Sequence, residues 1–226
     1  KKIKIAGNLK YFGKSKKNID KNTKKLFKNR LIFCAASTHY NEELFIGKIH
    51  KELKLKYNNL LTILIPRHAN RTKSITNELK NIDLGITTKS SNKKISKNTD
   101  IYIVDTYGET SKFYGLSNIT FVGGSMVPHG GQNPLEPARM GNYILHGPNI
   151  QNFKEIYNML SKLNVSSRVK NINNMKKNII SKIKYKQPQK VYKKLNFIGN
   201  EILKKNLKEI YKYFWWRLID HYFGIK

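Results

Sequence analysis

The sequence predicts an α/β fold, a parallel sheet with helices on both faces and a helical tail behind it. Three observations carry this. Short continuous apolar runs, Leu31–Ala36 and Leu60–Ile65 above all, read as strands buried on both faces. Stretches with apolar residues at helical spacing separate them, and such alternation implies a parallel, Rossmann-like sheet. Finally, the polar, chemically able residues gather just after strands, where ligands of such sheets bind.

In order along the chain, Lys2–Phe12 reads as a short strand ending at Gly7-Asn8, followed by a Lys/Asn-rich segment to Arg30 that can form a helix. The strand Leu31–Ala36 leads into Ser37-Thr38-His39. A helix is predicted over Asn41–Tyr57 from Leu44, Ile49, Leu53 and Tyr57. The strand Leu60–Ile65 stops at Pro66-Arg67-His68, and a helix over Arg71–Ile82 precedes a short strand at Gly85–Thr88. Ile101–Val104 is a strand ending at Asp105-Thr106-Tyr107-Gly108-Glu109, with a short helix to Tyr114. The strand Ile119–Val122 runs into the glycine pairs Gly123-Gly124 and Gly130-Gly131, and a helix starts near Pro134. Tyr143–Leu145 is a strand and Gln151–Leu163 a helix. From about Asn171 the chain reads as helical throughout, with a break at Pro188.

Phe121–Arg139 is the stretch the rest serves. Glycines let backbone amides approach a ligand, and a helix N-terminus offers unpaired N–H groups to an anion. Asn133 suits an N-cap, Pro134 the first helical position, and Glu136 the carboxylate of a capping box. Arg67, directly after a strand, is placed to grip a phosphate bidentately. Glu136 can accept hydrogen bonds from vicinal ribose hydroxyls. Tyr107-Gly108-Glu109 can offer amides and a carboxylate to a base or phosphate. His39 and His68 are candidate ligands or acid–base groups. His39, His129, Glu42 and Glu43 match no zinc spacing, so no metal is expected, and a Walker-type phosphate loop is absent.

The formal charge is +30, from 44 Lys+Arg against 14 Asp+Glu. Excess of this size points to nucleic acid or an anionic membrane surface. The lysines are spread with Asn and Ile along the whole chain and no recognition motif accompanies them, so no specific nucleic acid is expected. The single Cys34 lies in an apolar run and reads as a core residue of a reducing compartment. No apolar run reaches 18 residues, and the start shows no signal-peptide pattern. The chain begins at Lys1 without an initiator methionine, which fits a piece of a longer protein.

ASTHYNEE (Ala36–Glu43), PRH with the following Arg71, DTYGE (Asp105–Glu109) and FVGGS…GGQNPLEPA (Phe121–Ala138) together resemble the 3-deoxy-D-manno-octulosonic acid (Kdo) transferases of lipopolysaccharide synthesis. GNLK (Gly7–Lys10) is similar to the family's interdomain linker, and the resemblance runs over about Ile5–Leu163 in the family's order. It implies the C-terminal, donor-binding half of a GT-B glycosyltransferase. Residues 1–30 would be linker and lead-in, 31–170 the nucleotide-sugar-binding domain and 171–226 the helical tail. The resemblance implies that CMP is held by Pro66, Arg67, Tyr107, Gly108, Glu109, Asn133, Pro134, Leu135 and Glu136. Ser37, His39, His68, Gly123, Gly124 and Ser125 are further candidate donor contacts. It also implies CMP-Kdo as donor, a lipid A precursor as acceptor, no cofactor or metal, and a place at the cytoplasmic face of the bacterial inner membrane. The general base would be a glutamate of an N-terminal acceptor-binding domain that this sequence does not contain, so no catalytic residue is assigned here. Asn41, Gln132 and Thr110 depart from the family's usual glycine, histidine and leucine.

Two other readings compete. One is a GT-B transferase for another nucleotide sugar, and the other a basic protein that binds nucleic acid or an acidic polymer through its charge. The end of the chain, Tyr211–Lys226, interleaves aromatic and basic residues and suits either an anionic membrane interface or a helix docked on the absent domain.

Overall fold

A computed structural model describes residue 19 and residues 21–223, without side chains at 22, 213 and 215–223. The predicted strand Lys2–Phe12 and the linker-like Gly7–Lys10 lie outside the described residues.

Among the described residues seven strands form one sheet: β1 (Leu31–Thr38), β2 (Leu60–Pro66), β3 (Ile86–Thr88), β4 (Ile101–Ile103), β5 (Ile119–Val122), β6 (Tyr143–His146) and β7 (Ser166–Arg168). Their spatial order is β3-β4-β2-β1-β5-β6-β7, and every neighbouring pair is parallel. The expected parallel sheet is therefore present. The strand missed in the sequence is β7, whose SSR carries no apolar signal; it pairs only with β6, at an edge, and its burial fades to exposure at Arg168.

The strand alternation explains the two-sided burial. On β1, Phe33 and Ala35 enter a core with Ile46, Ile49, Leu64, Ile75, Phe121 and Leu145. Ile32, Cys34 and Ala36 point into a second core with Leu61, Ile63, Tyr102, Phe113, Tyr114 and Met140. A period of two with both sets apolar is the signature of a central strand in a covered sheet. Cys34 is fully buried, and burial pushes its thiol up to about 12, as expected of an inert core cysteine.

The helices are α1 (Lys21–Leu26), α2 (Glu42–Lys54), α3 (Thr72–Lys80), α4 (Thr110–Leu116), α5 (Leu135–Arg139), α6 (Lys154–Lys162), α7 (Ile172–Lys182) and α8 (Gln189–Phe223). The tail expected from 171 starts later. Met175, Ile179 and Ile183 of the α7 region are buried in the first core, and the sheet unit extends to Gln187. The remaining unit holds α8, a single helix of 35 residues after Pro188.

The amino-terminal edge of the sheet is closed by a polar network. The Arg30 guanidinium donates to the carbonyls of Asn59, Leu60, Ser96 and Thr99 at 2.6–3.1 Å. Asp100 accepts from Gly85 N at 2.8 Å and pairs with Lys54. Its carboxyl lies far below the usual range, because the hydrogen bonds of His50, Lys54 and Gly85 outweigh the cost of burial. His50, which is buried, bridges Thr62 Oγ1 at 2.8 Å and faces Asp100 at 3.6 Å.

Candidate functional site

The sheet order reverses around β1. From β1 the chain adds β2 and β4 on one side, then returns to place β5 on the other. Loops leaving β1 and β5 in opposite directions open a crevice at the carboxyl edge. Ser37 and Thr38 end β1 there with His39 just after, and Gly123-Gly124 follow β5. Pro66-Arg67-His68 leave β2 next door, and Tyr107-Gly108-Glu109 leave β4.

Two of these clusters are tied together through Glu42, the first residue of α2. Its buried carboxylate accepts N–H groups from His39 (2.9 Å), Gly124 (2.7 Å), Ser125 (3.0 Å) and Met126 (2.8 Å). This corrects the expectation for the first glycine pair. The amide of Gly123 bonds to Ala36 O and those of 124–126 to Glu42, so the loop's N–H groups are already used. Gly123 is needed for close approach: a Cβ there would lie 2.4 Å from the Ser37 carbonyl oxygen. Ser125 is fully buried, and its hydroxyl donates to Val122 O and accepts from Gly147 N. It builds the loop instead of facing the crevice.

The first loop is strained where the sequence allows it. Ser37 (φ 55) and Asn41 (φ 71) both lie in the left-handed region, and the pairing of β1 with β2 shifts between Ala36 and Thr38. A glycine-usual position occupied by Asn41 is thereby explained, since Asn is among the few side chains that tolerate this backbone. At the far end of the loop, Glu43 and Arg71 form a two-pronged ion pair at 2.9 and 3.1 Å. Burial raises the Glu43 carboxyl, and Arg71 opposes the rise.

Arg71 is thus spoken for, and Arg67 is not. Arg67 is exposed, its backbone N–H bonds to Thr38 O at 3.0 Å, and its guanidinium has no ion pair among the described residues. A free guanidinium held beside the crevice is suited to an anionic ligand. Pro66 behind it is buried, so it shapes the turn.

His39 sits at the centre. Its ring lies 4.1 Å from that of His129 and 6.0 Å from that of His68, and Gln132 Nε2 approaches its Nε2 at 3.3 Å. Burial, then the neighbouring His129, His68, Arg67 and Arg71, hold the His39 imidazole down to about 4. His129 carries no sequence signal of its own. Gln132, at a position where the resembling family has histidine, preserves a polar contact with His39.

The remaining clusters meet each other across α4 and α5. Ser111 Oγ donates to Glu136 Oε1 at 2.9 Å, and Glu136 remains partly accessible. The expected capping box is absent. Asn133 Oδ1 accepts from Leu135 N at 3.0 Å, a local turn, and the residue flanking the helix is Pro134, with no side-chain cap. A five-residue helix also gathers little macrodipole. Leu135 is buried, which leaves only its backbone for a ligand, whereas Asn133 is exposed.

Tyr107 is 80% exposed, and Gly108 (φ 80) has open space where a Cβ would stand. The Glu109 carboxylate is engaged by Lys89, Thr106 and Lys112, and the hydrogen bonds from Lys89 and Thr106 hold it at about 2. What this turn presents freely is its backbone and the Tyr107 ring. Lys89, after β3, is a rim cation that the sequence reading passed over.

No protein-family model matches the chain. It is 39% identical to the 3-deoxy-D-manno-octulosonic acid transferase of Haemophilus influenzae over 163 residues, 70% of this chain and 38% of that protein. The 3-deoxy-D-manno-octulosonic acid transferase of Aquifex aeolicus is 30% identical over 91% of this chain and 55% of its own length. Among solved structures, the C-terminal CMP-Kdo binding domain of WaaA from Acinetobacter baumannii superposes with a TM-score of 0.67 at 26% identity, over 78% of this chain and 91% of that domain. The chain thus spans roughly two fifths to just over half of these two relatives. It belongs to the 3-deoxy-D-manno-octulosonic acid transferase family, as a match to the family's C-terminal half.

Proposed function

We propose that this chain is the donor half of a glycosyltransferase that moves Kdo from CMP-Kdo to a lipid A precursor. The observation that carries the reading is the exposed Arg67 guanidinium beside the β1/β5 crevice, without an ion pair among the described residues, on a rim that also holds Glu136 and the open Tyr107-Gly108 turn. A site for a nucleoside monophosphate ester needs one strong cation for phosphate, acceptors for ribose hydroxyls and a platform for the base. Arg67, Glu136 and the 107–109 turn supply these in turn.

The chemistry follows from those parts. When the glycosidic bond to the donor phosphate breaks, negative charge grows on the departing CMP, and a fixed guanidinium stabilises it most where water is scarce. The acceptor hydroxyl must lose a proton to a base, which we assign to an N-terminal domain partnering this one. The related donor site of the Acinetobacter domain, described as CMP-Kdo binding, supports the nucleotide. We further propose that nucleotide binding needs no metal and survives chelation. The protein would work at the cytoplasmic face of the inner membrane, with the basic and aromatic end 211–226 at an anionic surface. Among the described residues no helix is long and apolar enough to cross a membrane.

Calorimetric titration of the chain with CMP, UDP and GDP tests the assignment. CMP should bind and the other two should not. Preference for UDP or GDP would instead favour a transferase for a different nucleotide sugar. Salt-sensitive RNA binding with no nucleotide binding would favour the charge-driven reading. Co-sedimentation with anionic vesicles should fall when 211–226 is removed.

A further inference from the structure

His39, His68 and His129 come from three different loops, after β1, β2 and β5, yet their rings gather within 4.1 and 6.0 Å of one another. His68 and His129 are exposed, and His39 is partly covered. The groups around them are mostly cationic. Arg67 stands on the same turn as His68. Arg71 begins α3 but is neutralised by Glu43 of α2. Glu42 spends its carboxylate on loop amides, including that of His39. Gln132 contributes a neutral amide. Three imidazoles and one free guanidinium therefore face the crevice with no free carboxylate among these neighbours to balance them.

We propose that this cluster is a proton-coupled subsite for an anionic oxygen group of the donor, in which His39 is neutral while the crevice is empty and charged when that group is bound. The proposal rests on the donor-site reading above and adds to it what the histidines recognise. In the empty crevice, partial burial and the neighbouring cations disfavour a charged His39 ring. An anion placed over the ring reverses the second cause, and the protonated imidazole then donates from both nitrogens. Two groups on the donor carry the required chemistry, the phosphate of CMP and the carboxylate of an octulosonic acid. Binding of either takes up a proton. Affinity therefore rises as pH falls from neutrality, by about tenfold for each unit by which His39 is raised in the complex.

Histidine-selective NMR on the whole chain reads each ring directly, with His39→Gln, His68→Gln and His129→Gln assigning the signals by subtraction. The free chain should show one ring titrating near 4. With CMP-Kdo bound that ring should move up to near neutral pH, where it is charged. If CMP alone produces the rise, the phosphate is the partner. If only CMP-Kdo does, the carboxylate is. Cytidine should produce none. Binding of CMP-Kdo, seen by shifts elsewhere, with the His39 titration unmoved would overturn the subsite and leave the donor reading intact. Absence of any binding by CMP and CMP-Kdo would bring down both.

Discussion

The two edges of the same sheet carry similar side chains and treat them in opposite ways. At the amino-terminal edge, Arg30 is taken up by the carbonyls of four residues and Asp100 by Lys54 and Gly85 N, with His50 bound to Thr62 beside them. At the carboxyl edge, Arg67 has no counter-charge among the described residues, three imidazoles crowd together, and Tyr107 stands in solvent. Polar groups closed within the fold serve stability, since breaking them strands a buried partner. Groups held in place but left unpaired are available to a ligand. Arg71 and Arg67 show the contrast within four positions: one is locked to buried Glu43, the other is free.

The largest effect that separates the edges should come from Asp100→Ala. It removes the acceptor of Gly85 N and the partner of Lys54 and His50, and should cost ~3 kcal/mol or more of folding free energy. CMP affinity of the folded fraction should not change. Denaturant unfolding and calorimetry on the same samples check both halves. A loss of affinity at unchanged stability would mean that the two edges are not independent.

Glu136→Ala is a smaller change on the other edge. It should weaken nucleotide binding by ~1–3 kcal/mol, the scale for hydrogen bonds to a charged group. Stability should fall by about 1 kcal/mol through the lost Ser111 contact, since no cap is there to lose. Ser111→Ala should reproduce the stability loss with less effect on binding.

The smallest expected effect is the pH dependence of folding. Burial holds His50 below its usual 6.5, so the unfolded chain takes up a proton first. Its contribution is complete above 6.5 and is lost as pH falls below that value. Glu109, held at about 2, contributes above its usual 4.5 and loses that contribution on the way down to about 2. Glu43, raised by burial, works in the opposite direction. Unfolding midpoints should therefore drop on acidification from pH 7 to 5, and His50→Gln should flatten that drop. An unchanged slope in the variant would remove His50 from the closed edge's account.

Much of this molecule could be read in its sequence, and the exceptions have physical causes. Strands such as Leu31–Thr38 and Leu60–Pro66 announce themselves because both faces are buried, so every position is apolar or small. Ser166–Arg168 does not, because an edge strand of three polar residues leans on its neighbour for its structure. The rim clusters were visible because turns after strands concentrate Gly, Pro and charged residues. The division of labour inside them was not. Glu42 and Glu43 are adjacent and chemically alike, yet one gathers backbone amides and the other an arginine. Only the return of the chain at β5 decides which. The same holds for Asn133 and Glu136, whose spacing fits a capping box. Here Asn133 closes a local turn and Glu136 turns toward Ser111.

The most direct test of the contrast is calorimetric titration of CMP into the wild-type chain and Arg67→Lys, with thermal unfolding of both. An ammonium keeps the charge but loses the planar fork. Affinity should fall by roughly 1–3 kcal/mol, on the scale of hydrogen bonds to a charged group, while the unfolding midpoints coincide. Equal CMP affinity in the two proteins would contradict the account, because the one free guanidinium assigned to this rim would then be holding nothing.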